Sequence, residues 1–254
     1  MEIKMIVTDL DGTLLKEDKT ISARTISTFN KCREAGIKTA YATGRCESAD
    51  DLTDGIVFDG RVNVNGAVAH AGSELVYSSL FHINTVREML LAVDAAGHEI
   101  IVQRKGDNFS NIDFRYKWPW LKYTPADFKN LDTEIEKIYA EIESSEALTL
   151  IKKHLPEGLY CSVARDGVAM IMRNEATKSN AVAALAKHWG INVKNIAAFG
   201  DDLNDLDLLE LCGMAVVTEN ALDEAKAAAD EICGSNENDG VAVWIEENIL
   251  RIGD

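Results

Sequence analysis

Asp9 and Asp11 stand two positions apart behind an apolar run, in VTDLDGTLL at residues 7–15. Carboxylates this close repel each other, and the pairing makes chemical sense where the two hold different protonation states. A phosphate monoester would use both, since its hydrolysis needs up to ~10²¹-fold acceleration. One aspartate can attack phosphorus and form an aspartyl-phosphate, which splits a hard displacement into two easier ones. A bound Mg²⁺ would keep that attacker ionised. The other would give a proton to the leaving oxygen and then take one from the hydrolytic water.

Three more polar groups suit the same chemistry. Thr43-Gly44-Arg45 offers a hydroxyl for a phosphoryl oxygen, and backbone amides near Leu10 and Gly44 can form an anion-holding nest. Lys178 begins a helical stretch and brings a positive charge to a developing transition state. In Gly200-Asp201-Asp202, Asp201 completes an all-oxygen donor set of the kind Mg²⁺ takes, while Asp202 reads as a helix-start residue. Asn204 and Asp205 follow, placed to orient the lysine or a nearby water, with Asn204 also a candidate phosphate contact. Gly12 permits the sharp turn after Asp11. Arg45 is as suited to a surface as to an anion.

These groups need elements to carry them. Residues 3–9 and 37–45 are short runs rich in branched residues and read as buried parallel strands. Between them, 21–36 reads as a helix, with Ser22 as its cap and Gly36 as its stop. Strand, helix and strand make a βαβ unit with a right-handed crossover. The pattern resumes with a helix over 178–190, whose Val182, Leu185, Ala186 and Trp189 share a face, then a strand over 195–202 and a helix over 203–213. A strand at 214–218 and helices over 220–230 and 240–250 follow. Three strands thus end in polar chemistry, at Asp9–Asp11, Thr43–Arg45 and Gly200–Asp202. Ligands of parallel α/β sheets bind beyond the carboxyl ends of the strands, so these segments are expected to meet at one crevice.

The middle of the chain reads differently. Helices are expected over 84–97 and 145–155, a strand over 98–106, and a hairpin over 158–174 turning at Asp166-Gly167. The acidic stretch 132–146 reads as a solvated strand leading into a helix. The aromatic and basic FRYKWPWLKY, 114–123, suits packing or a protein contact better than a substrate lid or a stacking surface for nucleic acid. The expectation is a doubly wound, Rossmann-like parallel-sheet core from 1–80 and 178–254, interrupted by an α+β domain at 81–177.

Taken together, DLDGT (9–13), Thr43 in TGR, Lys178 and GDDLND (200–205) resemble, in order, the four motifs of the haloacid dehalogenase superfamily of phosphohydrolases. The insertion between the second and third resembles the α/β (type IIB) cap of its Cof-type branch, as do NGA (65–67) and NENDGVA (236–242). The resemblance implies Asp9 as nucleophile, Asp11 as general acid/base, and Thr43 and Lys178 on the phosphoryl group. It implies Mg²⁺ held by Asp9, the Asp11 carbonyl and Asp201. It also implies that the cap sets the substrate by how it closes. Two departures stand out: Ser179 follows the lysine where glycine is usual, and MAVVTENA (214–221) replaces a commoner AMGNA pattern.

With 254 residues, 46% apolar and 27% charged, the chain is ordinary for a soluble protein of one large or two smaller domains. A net charge of −16 with no basic face argues against nucleic acid as partner, and an anionic ligand would then need a local cation. No apolar run approaches the ~20 residues needed to cross a bilayer. The 5 cysteines are scattered without CxxC spacing, which argues against disulfides and zinc and fits the cytoplasm. The expected activity is a Mg²⁺-dependent phosphatase of small phosphorylated metabolites, such as sugar phosphates or phosphorylated cofactors, and a monomer is the default. A phosphomutase acting on sugar phosphates is the alternative. A purely sensing role would be expected to lose a motif residue, and none is lost.

Overall fold

Residues 5–8, MIVT, bury every side chain. Met5 and Val7 enter one apolar layer and Ile6 the other, so this strand must run inside a sheet covered on both faces. The computed structural model describes residues 2–113, 115, 122–142, 145–163 and 167–251. It divides into two compact units, Met1–Ser78 with Thr177–Asp254, and Ser79–Ala176.

The first unit opens with β1 (Met5–Thr8), α1 (Ala23–Glu34), β2 (Lys38–Ala42), β3 (Gly60–Asn63), β4 (Val68–Ala71) and β5 (Glu74–Ser78). The second holds β6 (Phe81–His82), α2 (Arg87–Ala95), β7 (Ile100–Arg104), β8 (Asp107–Ser110), β9 (Thr124–Pro125), β10 (Glu134–Ile135), β11 (Lys137–Glu141), α3 (Ser145–His154), β12 (Leu159–Val163) and β13 (Val168–Arg173). The chain returns to the first unit through α4 (Lys178–His188), β14 (Ile196–Gly200), α5 (Leu206–Leu211), β15 (Met214–Thr218), α6 (Asp223–Ala228), β16 (Glu231–Cys233) and α7 (Gly240–Ile245).

The first unit is a doubly wound α/β fold. Its eight strands run in the order β16-β15-β14-β1-β2-β3-β4-β5, parallel from β16 to β3 and antiparallel from there to β5. Ala181, Val182 and Leu185 of α4 and Leu208 and Leu209 of α5 pack on one face. Phe29 and Cys32 of α1 and Val241, Trp244 and Ile245 of α7 pack on the other. Register positions the chemistry. Thr8 pairs with Phe199 on one side and Tyr41 on the other, so the carboxyl ends of β14, β1 and β2 lie level.

The elements differ in detail from the sequence reading. The Ser22 hydroxyl caps α1 as expected, accepting from the Thr25 amide at 3.1 Å. The helix expected from 203 begins as a 3₁₀ turn over Leu203–Asp205, because Asp202 and Asp205 form a reciprocal capping box at its start. The 220–230 helix is shortened to Asp223–Ala228, and the residues after it form the edge strand β16.

In the second unit, β12-β13-β11-β7-β8-β9 form one sheet and β10-β6 a two-stranded one. Met89, Leu90 and Val93 of α2 and Ile151 of α3 share an apolar layer with Ile100, Val102, Ile138, Ala140, Ala169 and Ile171. β12 and β13 pair antiparallel from Leu159↔Arg173 to Val163↔Ala169; the expected turn residue Asp166 lies outside the described residues, as do 114 and 116–121 of the aromatic segment. The solvated strand expected within 132–146 is corrected. β11 runs between β13 and β7, with Lys137, Ile138 and Ala140 buried. Ile138 and Ala140 supply the alternate apolar positions that one buried face needs, and the glutamates around them obscured that period.

Candidate active site

Asp9 is the first residue past β1, and its amide donates to the Phe199 carbonyl at 2.9 Å, continuing the ladder by one step. Its side chain is 8% exposed and faces Lys178, whose side chain is fully buried. Lys178 Nζ donates to Asp9 Oδ1 at 2.5 Å and to Asp205 Oδ1 at 2.6 Å. Lys178 opens α4 behind its N-cap, Thr177, so the local helix start aims the ammonium across the strand ends. Asp205 also accepts the amides of Asp201 and Asp202 on Oδ2, at 3.0 and 3.1 Å, which leaves it oriented through both oxygens.

Asp201 lies beside this pair. Thr13, the last residue of DLDGT, donates its hydroxyl to Asp201 Oδ1 at 2.6 Å. Gly12 has φ +84°, and a Cβ there would lie 2.3 Å from Asp201 Oδ2. Glycine is therefore needed both for the turn and for the approach of Asp201. Asp9, Asp201 and Asp205 each offer a carboxylate oxygen within 4.8 Å of the others. Such a cluster of hard oxygen donors suits Mg²⁺. Because Lys178 and two amides already engage Asp205, Asp9 and Asp201 are the residues best able to hold the ion.

The charges follow from burial and neighbours. Burial, reinforced by Asp205 and Asp201, pushes the Asp9 carboxyl up to about 8 against the pull of Lys178. Burial, with Asp205 adding to it, pushes Asp201 up to about 6 although the Thr13 hydroxyl works the other way. For Lys178 burial opposes the charge, but Asp205 and Asp9 outweigh it and hold the ammonium above the usual lysine range.

Asp11 turns away from this centre. Its carboxylate accepts two hydrogen bonds from the Arg45 guanidinium, at 2.5 and 2.7 Å, and one from Lys19 at 2.8 Å. Burial alone would raise Asp11; the two cations outweigh it and hold the carboxyl below its ordinary range. In this arrangement Asp11 is ionised, so it can give a proton to a leaving oxygen only after Arg45 and Lys19 release it. Arg45, left open in the sequence reading, pairs with the Asp11 carboxylate and keeps a partly exposed side chain.

Thr43 is buried, and its hydroxyl accepts from the Arg45 amide at 3.2 Å. The buried Leu10 receives the amides of Thr13, Leu14 and Leu15 on its carbonyl, which curls the loop after β1. Gly44 runs so close to Asn65 that a Cβ would lie 2.9 Å from its Oδ1. Asn204 is exposed and donates to that same Asn65 oxygen at 3.1 Å, not to Lys178. Val64, Asn65 and Gly66 all have positive φ, a strained turn for a β-branched residue. The Asn65 amide donates to the Thr43 carbonyl at 2.9 Å, so this turn carries the Thr43 loop.

Several contributing residues were not singled out by sequence. Lys19 sits in a polar loop with nothing to mark it. Asn220 donates to the Gly12 carbonyl at 2.7 Å and accepts the Asn236 amide at 3.1 Å, while Asn236 donates to the Leu15 carbonyl at 2.9 Å. NENDGVA therefore anchors the loop that bears Asp11; the motif marked the place but not the contact. Gly66 faces α4 so closely that a Cβ would lie 2.0 Å from the Thr177 carbonyl oxygen. With φ at +92° as well, Gly66→Ala is expected to displace Lys178 and to lower kcat by about 10²-fold. Turnover normalised to the folded fraction by circular dichroism checks this.

Residues 6–245 match the haloacid dehalogenase-like hydrolase family. The chain is 26% identical over 273 residues to the 5-amino-6-(5-phospho-D-ribitylamino)uracil phosphatase YitU of Bacillus subtilis, covering 97% of this chain and 98% of that protein. It is 24% identical over 282 residues to the pyridoxal phosphate phosphatase YbhA of Escherichia coli, covering 98% and 100%. A haloacid dehalogenase-like hydrolase from Bacteroides thetaiotaomicron has the same fold, with a TM-score of 0.86, 22% identity, and 97% and 99% of the two chains covered. A match running from the second residue of β1 to the end of α7 spans every strand end that carries the carboxylates and the lysine, and the chain belongs to the haloacid dehalogenase-like hydrolase family, among the Cof-type phosphohydrolases its four motifs resemble.

Proposed function

We propose that the protein is a Mg²⁺-dependent phosphatase of small phosphorylated metabolites, working through an aspartyl-phosphate on Asp9. The observation that carries this reading is Asp9 held at 2.5 Å by a fully buried lysine, with Asp201 and Asp205 carboxylates gathered around it. The two relatives named above are both phosphatases of phosphorylated small molecules, which supports the substrate class.

Bound between Asp9 and Asp201, Mg²⁺ would neutralise the attacking carboxylate and polarise the phosphoryl group. The chain's own residues do the rest. Asp9 attacks phosphorus with the oxygen not engaged by Lys178. Lys178 meets the negative charge that develops on the phosphoryl oxygens, and Asp205 keeps its ammonium charged and aimed. The Thr43 hydroxyl, fixed beside the Arg45 amide, contributes a further donor. Asp11, once free of Arg45 and Lys19, takes up a proton from solvent, gives it to the departing oxygen as the bond from phosphorus to that oxygen breaks, and takes one back from the water that cleaves the acyl phosphate.

Release of inorganic phosphate from p-nitrophenyl phosphate, followed by a panel of phosphorylated metabolites with Mg²⁺ present, tests the proposal. Turnover abolished by EDTA and restored by Mg²⁺ is expected. Absence of phosphate release across the panel would overturn it, and isomerised sugar phosphate without net release would mark a mutase.

Metal affinity should depend on pH with a definite sign. The Asp9 and Asp201 carboxyls lie above their ordinary range, at about 8 and about 6. The metal-free protein therefore gains stability from the protonated carboxyls at low pH and loses it as pH rises through these values. Mg²⁺ must displace those protons, so its affinity is expected to rise by on the order of 10- to 100-fold between pH 6 and pH 8. Calorimetric titration at the two pH values reads this; equal affinities would show that Asp9 and Asp201 do not hold the ion.

A further inference from the structure

Ser179, the residue that stands where glycine is usual, is not idle in this chain. Its amide donates to Asp207 Oδ2 at 3.0 Å and its hydroxyl to the same oxygen at 2.5 Å. The Ser179 hydroxyl proton being committed to Asp207, the 2.9 Å contact with Thr177 Oγ1 is a hydrogen bond donated by Thr177. Thr177 in turn accepts the Asn180 amide at 3.2 Å. Asp207 lies in the first turn of α5, two residues after Asp205, which takes the Lys178 ammonium. The short stretch 205–207 therefore grips Lys178 twice, through its side chain and through the backbone of the next residue.

We infer that Asp207, acting through Ser179, is a positioning residue for Lys178 that sets where the ammonium sits against Asp9. The inference rests on the phosphatase reading of that pair. A carboxylate accepting from the first turn of α4 is favoured by the helix dipole and by charge-assisted hydrogen bonding. The Gly66 backbone also approaches the start of α4, so closely that no Cβ would fit. The start of α4 is thus held by contacts from both the 64–66 turn and α5. Releasing the α5 side leaves Lys178 on a long flexible stem whose helix start can drift, and the drift changes its distance to the attacking oxygen. A glycine at 179 would offer Asp207 only the amide. The hydroxyl adds a second donor to the same oxygen.

The test is steady-state hydrolysis of p-nitrophenyl phosphate with Mg²⁺, with kcat normalised to folded protein. Asp207→Leu is expected to lower kcat about 10- to 30-fold and leave KM nearly unchanged, because Lys178 acts mainly on the transition state. Asp207→Asn keeps an acceptor oxygen and is expected to restore kcat to within about threefold of wild type. Ser179→Ala removes the hydroxyl donor and is expected to lose about threefold, and to lose nothing further when combined with Asp207→Leu, since that variant already removes both hydrogen bonds that Ser179 donates. An Asp207→Leu protein that is folded and turns over within twofold of wild type overturns the inference, as does full additivity in the double variant. If Asp207→Leu does not fold, Ser179→Ala decides alone, and an unchanged kcat overturns it. A wild-type protein inactive with Mg²⁺ would overturn the phosphatase reading and this inference together. An active wild type with an indifferent Asp207 would overturn this inference only.

Discussion

Asp9→Asn is expected to lower kcat for any phosphate monoester by about 10⁴-fold or more while the protein stays folded, the scale seen when a covalent nucleophile is removed. The amide oxygen of asparagine can still accept from Lys178 Nζ, now at 2.5 Å from Asp9 Oδ1, so the buried lysine keeps a partner and the packing is undisturbed. What is lost is the anionic oxygen that attacks phosphorus. The same substitution should abolish acid-stable trapping of phosphate on the protein, which wild type should show when quenched during turnover. Residual activity within a hundredfold of wild type, or trapped phosphate in the variant, would place the nucleophile elsewhere.

Lys178→Met should cost both activity and stability. Methionine follows the stem of lysine closely, so the cavity stays filled, but Asp9 and Asp205 lose the cation they share. Breaking a buried ion pair from one side typically costs about 3–5 kcal/mol because a buried charge is left uncompensated. The loss at pH 7 is expected in this range, about 3–5 kcal/mol, toward its lower end because burial raises the Asp9 carboxyl and so reduces the charge left uncompensated there. Loss of a positive donor aimed at the phosphoryl oxygens should lower kcat by about 10²- to 10³-fold in the molecules that remain folded. Urea unfolding and normalised turnover read the two losses separately. A variant as stable as wild type would mean that the lysine does not neutralise Asp9 and Asp205.

The two outcomes bear on different levels of the sequence. MIVT before Asp9, IAAFG before Asp201 and KTAYA before Thr43 were legible as buried parallel strands because both of their faces are apolar. Asp9, Lys178 and Asp201 followed from where those runs stop and a helix starts. The strands β3 to β5 and the edge strand β16 are short or half-exposed and carry no such period. β11 hid its apolar positions, Ile138 and Ala140, among charged neighbours. The side-chain partners were less legible still. Asp11 was expected to be a proton donor, and its two-cation clamp depends on Arg45 and Lys19 reaching it from separate loops.

The sequence by itself determined the α/β core, the order of the motifs and the chemical types present, because hydrophobic period and strand-end polarity are local properties of the chain. Only the tertiary structure decided which donor faces which acceptor: that Lys178 bridges Asp9 and Asp205, that Asp201 leans on Thr13 across Gly12, and that Ser179 is tied to Asp207. Those contacts join residues up to 188 positions apart, as for Thr13 and Asp201, and their geometry is set by sheet register and by close backbone approach at Gly12 and Gly66. No short window of sequence encodes such distances, since each depends on how several elements pack at once.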